Sequence, residues 1–207
     1  MRYCGRSTAQ ISFPLGGIGT GSIGLGGNGR FLDVEIGNAP NKDSSGEFTH
    51  FAVKAERNGR VLDARVLQGD LQPPYVGHGG RPLYTGYGFG PDRGSMAGMP
   101  HFADCEFDGA FPLARLAFSD EHFPGSVELL AFNPLIPTDT FDSSLPAAFF
   151  TILIRNDTQE AIEYTVAFSL RNFFTETGAI HQFLPAEGRK ALFLSNTADR
   201  NTTDYGD

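Results

Sequence analysis

Alternating apolar and polar positions run through most of the chain, and the pattern is that of strands. In residues 48–56, Phe51, Val53 and Ala55 fall on one face. Asn58-Gly59 follows, and then a second alternating run over 61–67. Asn-Gly is the strongest short hairpin signal, because both central residues of the tight turn need positive φ. Folding the chain there sets Ala55 opposite Leu62, Val53 opposite Ala64 and Phe51 opposite Val66, with a Lys54–Asp63 pair on the other face. Further strand signals cover 101–108, 111–119 and 127–132. Residues 147–154 form a continuous apolar run, which predicts a central strand buried on both faces. The cleanest alternation is Ile162, Tyr164, Val166, Phe168 and Leu170, and a last strand covers 190–194. No amphipathic helix longer than a turn or two is predicted. Short strands separated by turn signals predict an all-β, antiparallel β-sandwich.

The densest glycine stretch, residues 13–30, contains Gly19, Gly21 and Gly24 in a G-x-G-x-x-G spacing. A dinucleotide site needs a helix directly after those glycines, and Gly26, Gly27 and Gly29 do not nucleate one. A hairpin reversing at Asn28-Gly29 accounts for the stretch better. It sets Leu25 opposite Leu32 and Ile23 opposite Val34, leaving Ser22, Gly24, Asp33 and Glu35 on the other face. So many glycines imply close approach to this backbone, by a second layer of the fold or by a neighbouring domain.

Length allows one domain, 1–207, or slightly more, burying ~70% of the unfolded surface. A net charge of −8 argues against nucleic acid and anionic membranes. No apolar run reaches the ~18 residues of a membrane span, and the first residues lack a signal-peptide core, so a cytoplasmic location is expected. Cys4 and Cys105 form no metal or redox spacing. From about 68 to 100, glycine, proline and tyrosine (Tyr75, Tyr84, Tyr87) replace the alternation. A loop this long and this aromatic is expected to pack on something. The polar stretch 195–207 lacks a capping strand or a strong stop, so a continuation beyond it is expected.

Candidate chemistry within the chain is sparse. Asp33 with Glu35, and Glu106 with Asp108, are carboxylate pairs at i and i+2 on one strand face. Hydrolytic carboxylates oppose one another across a cleft, so both pairs read as solvated sheet faces. Asp139, Asp142, Ser143 and Ser144 read as side-chain-to-backbone turn partners. His50, His78, His101, His122 and His181 show no ligand spacing, and neither a metal nor a cofactor is assigned. Ser22 and Ser169 have no nearby histidine and acid to complete a triad.

Three blocks carry a family resemblance: 13–22 (Phe-Pro-Leu-Gly-Gly-Ile-Gly-Thr-Gly-Ser), 64–67 (Ala-Arg-Val-Leu) and 136–146 (Ile-Pro-Thr-Asp-Thr-Phe-Asp-Ser-Ser-Leu-Pro). On these the chain resembles the N-terminal domain of glycoside hydrolase family 116, the family of non-lysosomal glucosylceramidases and microbial β-glucosidases. The resemblance implies a β-sandwich followed by a catalytic (α/α)6 barrel in the same chain, acting on a β-glucoside. Hydrolysis there retains configuration, with a Glu nucleophile and an Asp acid/base ~5 Å apart, both in the barrel. No catalytic residue is therefore expected within 1–207, and the fragment alone is expected to be inactive. Gly19, Gly21, Asp33, Glu35, Asn38, Tyr84 and Tyr87 are the expected entrance or domain-interface residues. The chain departs from the family pattern at Val34, Gly37 and Ala39, where larger groups are usual, which puts substrate range in doubt. The rival reading is a free-standing carbohydrate-binding sandwich using tyrosines as platforms, since the chain has no Trp.

Overall fold

The computed structural model describes the chain except residues 38, 43, 45, 47, 74–92, 175–177, 187, 203, 204 and 207, and at 186 and 189 it describes the backbone alone. It divides into two compact units, Met1–Ser169 and Leu170–Asp207. The strands of the first are β1 (Arg2–Cys4), β2 (Ser12–Leu15), β3 (Ser22–Gly26), β4 (Phe31–Glu35), β5 (His50–Arg57) and β6 (Arg60–Val66). They continue with β7 (Asp104–Ala110), β8 (Leu113–Ser119), β9 (Ser126–Phe132), β10 (Phe149–Arg155) and β11 (Glu163–Ser169). One helical turn, α1 (Thr140–Ser143), interrupts them.

Three antiparallel sheets result, ordered β1-β7-β8-β9-β10, β2-β3-β4 and β11-β5-β6. Residues from all three share one core: Leu15 and Leu25 from the second, Val53 and Ala55 from the third, and Phe107, Leu116, Val127 and Leu129 from the first. This is the sandwich the alternation predicts. The β3 strand runs through Gly24, so no helix begins there. An aromatic cluster ties the sheets together: the Phe31 ring lies 5.9 Å from Phe51, 5.5 Å from Phe150 and 6.0 Å from Phe168.

Both Asn-Gly reversals exist, but each expected register holds over only part of its hairpin. In β3–β4, Leu25 faces Phe31 and Gly24 faces Leu32, while Ser22 faces Glu35 in the expected phase. Asp33, at φ 47°, absorbs the extra residue between them. A bulge of this kind sends buried Phe31, rather than Leu32, into the core beside Leu25. In β5–β6 the expected phase holds beside the turn, at Glu56–Val61 and Arg57–Arg60, and shifts past Ala55. Val53 then faces Arg65 and Ala55 faces Asp63.

A one-residue slip moves every following side chain to the other face. Leu62 is accordingly exposed, and Arg65 turns inward with only 11% of its side chain accessible. What holds it there is charge. Its guanidinium contacts Asp63 at 2.7 Å and Asp120 at 2.7 Å, donates to the His101 carbonyl, and lies over the Phe102 ring. The expected Lys54–Asp63 pair is absent for the same reason, and Lys54 binds Glu56 on its own strand at 2.5 Å.

The apolar run at 147–154 is also placed differently from expectation. β10 lies at the edge of the five-stranded sheet, not its centre, and alternates between half-buried and exposed residues. Its inward residues, Phe150, Ile152 and Ile154, pack on the core, and its outward Phe149 stacks on Phe132. An edge strand with one apolar and one exposed apolar row reads in sequence like a buried one.

The second unit is a hairpin of β12 (Ala179–Ala186) and β13 (Arg189–Asn196) in unbroken register from Ala179–Asn196 to Ala186–Arg189. Buried Asn172 donates to the Ser195 carbonyl at 2.9 Å, and the Ser195 hydroxyl donates to the Gly206 carbonyl at 2.7 Å.

Candidate functional site

Two loops of the first unit are fastened together, and they come from the two most distinctive blocks of the sequence. The 16–21 loop joins β2 to β3. It is pinned by Asn133 at the end of β9, whose Oδ1 accepts from the Gly16 N–H at 2.6 Å and whose Nδ2 donates to the Pro14 carbonyl at 2.8 Å. The Ile18 N–H then donates to the Ser143 carbonyl at 2.9 Å. Gly17 lies flat against the Ser144–Leu145 backbone, where an added Cβ would overlap the Leu145 carbonyl. Beneath this seam lies a small apolar recess of about 120 Å³, lined by Leu15, Gly21, Ile23, Ile36, Pro146 and Ala148.

The opposing loop is built from its own side chains. Asp139 caps α1 by accepting from the Asp142 N–H at 3.0 Å. The Ser143 hydroxyl donates to the Ile136 carbonyl at 3.0 Å and accepts from the Ile136 N–H at 2.9 Å. Asp139, Ser143 and Ser144, whose hydroxyl donates to the Phe141 carbonyl at 3.0 Å, thus act as side-chain turn partners as the sequence predicts, whereas Asp142 takes part through its backbone N–H. The consequence is an apolar tip held out in solvent. Phe141 is 87% exposed and Ile18 60%, with Ile136 and Leu145 each about half exposed.

Beside it, β4 carries a clamp. Asp33 is only 7% exposed and accepts from the Ser12 hydroxyl at 2.7 Å. Lys42 reaches Glu35 at 2.7 Å and Asp33 at 3.9 Å. The segment after β4 folds back along it: the Asp33 N–H donates to the Ser44 carbonyl, the Val34 N–H to the Ser44 hydroxyl, and Asn41 Nδ2 to the Val34 carbonyl. The Lys42 hydrogen bond and the Asn41 N–H hold the Glu35 carboxyl below its ordinary pKa. The solvated-face reading of Asp33 and Glu35 is therefore corrected. The bulge turns Asp33 inward, and both carboxylates converge on one lysine, where they fasten a loop. Glu106 and Asp108 do lie on an outer sheet face, beside Arg2 and the N-terminal amine.

A family model described as β-glucosidase 2, glycosyl-hydrolase family 116, N-terminal, matches residues 12–204. The chain belongs to this family. In this glycosyl-hydrolase family 116 N-terminal domain, the structure brings Gly21 and Glu35 together, with an added Cβ at Gly21 falling 2.5 Å from the Glu35 carbonyl oxygen. Gly19 stands on the exposed face of its loop with nothing packed over it. Asn38, Tyr84 and Tyr87 lie outside the described residues, as does Tyr75. Val34, one of the departures from the family pattern, is buried, so a larger group there would act through interior packing. Sequence reasoning missed Asn133, Lys42 and Arg65. Asn133 carries a weak signal, an amide directly after an apolar strand and before Pro134. For Lys42 and Arg65 the partners are remote or bulge-dependent, and no local pattern marks them. Among the described residues, no helix is long and apolar enough to cross a membrane.

Proposed function

We propose that this family 116 N-terminal domain supports the catalytic (α/α)6 barrel of a retaining β-glucosidase-type hydrolase, and that the pinned 16–21 and 136–146 loops are the surface it offers. The observation that carries the reading is the exposed apolar tip of Phe141, Ile18, Ile136 and Leu145 on two loops locked by Asn133 and by the Ile18–Ser143 bond. Apolar side chains clustered in solvent mark an interaction surface, and rigid loops bind without an ordering cost. The Asp33–Glu35–Lys42 clamp fastens the neighbouring segment at Asn41, Lys42 and Ser44 against β4. The active-site entrance lies beside this segment in the proposed assembly, with a β-glucoside entering past it in the cytoplasm. The nucleophile and acid/base belong to the barrel.

The test joins this chain to its helical domain. The joined protein is expected to hydrolyse an aryl β-glucoside, and the 207-residue chain alone to show no turnover. Substituting Phe141→Asp and Ile18→Asp, both exposed, should lower activity of the joined protein while leaving the melting temperature of this chain unchanged. Turnover by the purified chain, with contaminating enzyme excluded, would overturn the reading.

A further inference from the structure

The outer face of the five-stranded sheet carries a feature that barrel support does not use. A groove of about 570 Å³ crosses it, within the size range of small-ligand sites. Small side chains, Ala117 of β8 and Cys4 of β1, leave its floor low. On one wall Arg115 and Glu128, from adjacent strands, form a two-pronged ion pair at 2.9 and 2.6 Å. Such a pair is planar and rigid, and keeps N–H and lone-pair positions free at its edges.

The lining decides the class of occupant. Among the described residues its charged groups are Arg2 and Arg115 against Asp70, Asp104, Glu106 and Glu128, an acidic balance that repels an anion. Phe118 is the one aromatic among them and is buried, so the described lining presents no exposed ring to a flat apolar ligand. The remaining polar side chains include Ser119, Ser126 and Asn28. Among the described residues, the two hydroxyls and the Asn28 amide nitrogen find no hydrogen-bond partner, while Asn28 Oδ1 accepts from the Arg30 N–H. Neutral hydroxyls can donate to the carboxylates and accept from the guanidinium and the amide without disturbing the charge balance.

We propose that this groove binds a neutral oligosaccharide, held by hydrogen bonds to the Arg115–Glu128 pair and to the Ser119, Ser126 and Asn28 side chains. Binding here is independent of barrel docking, which uses the opposite set of loops, so either proposal can fail without the other.

The experiment titrates the isotope-labelled full chain with cellotriose, laminaritriose and maltotriose, following backbone amide resonances, with glucose 6-phosphate as the anionic control. Saturable shifts at Ala117, Ser119, Ser126 and Glu128 are expected with at least one trisaccharide and none with the phosphate. Ala117→Tyr, which fills the floor from the outer face, should weaken binding by about tenfold or more. Glu128→Gln, which keeps an acceptor but breaks the ion pair, should weaken it less. Each variant is compared only where its amide spectrum outside the groove matches that of the parent. Absence of shifts with all three sugars, undiminished binding by Ala117→Tyr, or binding of the phosphate alone would overturn the proposal.

Discussion

The same dipeptide reverses the chain twice, and the two reversals are held in opposite ways. At Asn58-Gly59 both residues take positive φ, 51° and 75°, and an added Cβ on Gly59 meets nothing within 4 Å. It is a free, exposed turn. At Asn28-Gly29 only the glycine takes positive φ, 93°, within a wider loop closed by Gly26 N–H to the Arg30 carbonyl at 2.7 Å. An added Cβ on Gly29 would fall 2.7 Å from the Leu67 carbonyl oxygen and 3.1 Å from the Phe118 ring, and Asn28 accepts from the Gly69 N–H at 2.8 Å. The hairpin at Asn28-Gly29 is thus gripped at its tip. The second along the chain, at Asn58-Gly59, is gripped near its base, where Arg65 joins Asp120. A turn motif specifies a reversal, and the surroundings decide whether the reversal also bears packing.

The sharpest way to break this contrast is at the base of the second hairpin. Arg65→Ala leaves the nearly buried Asp120 carboxylate without its cation, and should cost about 3 kcal/mol or more in urea unfolding. Next comes Gly29→Ala, which combines positive φ with overlap against backbone, for an expected loss of about 3 kcal/mol. Gly59→Ala, with the φ cost alone, should lose about 1 kcal/mol. Equal losses at Gly29 and Gly59, measured on the same unfolding curves, would erase the distinction.

A smaller effect is expected from pH. Burial pushes the Asp120 pKa up, but N–H donors from His122 and Ala103 and the Arg65 charge outweigh it, and the group lies below its ordinary value. A carboxylate depressed on folding contributes stability that is complete above its unfolded pKa and is lost as pH falls through the folded one. Stability should therefore decline on acidification below about pH 4. In Arg65→Met, where Asp120 has lost that charge, the decline should be shallower. Parallel pH profiles for the two proteins would remove Arg65 from the account.

Much of the architecture could be read from alternation alone. Strands β5 to β9, β11 and β13 fall close to the expected stretches, because period-two patterning survives wherever one sheet face is buried. Two kinds of information did not survive. Bulges at Asp33 and past Ala55 re-phase their strands, and a bulge leaves no mark in composition. Short or mixed strands such as β1 and β12 lack enough alternation to be recognised. In the candidate site, the turn chemistry of Asp139, Ser143 and Ser144 was legible because those side chains bond within their own loop and are residue types that favour turns. The Asn133 pin was not, since Gly16 and Pro14 are brought to it by the fold, and the Lys42 clamp was not, since it needs the bulge that turns Asp33 inward.

The edge position of β10 has a practical consequence. Phe149–Arg155 reads Phe-Phe-Thr-Ile-Leu-Ile-Arg, with no strand beyond it among the described residues. Seven residues of high β propensity, without proline or glycine and with a single charge, are a ready template for another copy of themselves. Handled alone and concentrated, this chain is expected to self-adhere along that margin, and a lysine at Thr151 is the simplest guard against it.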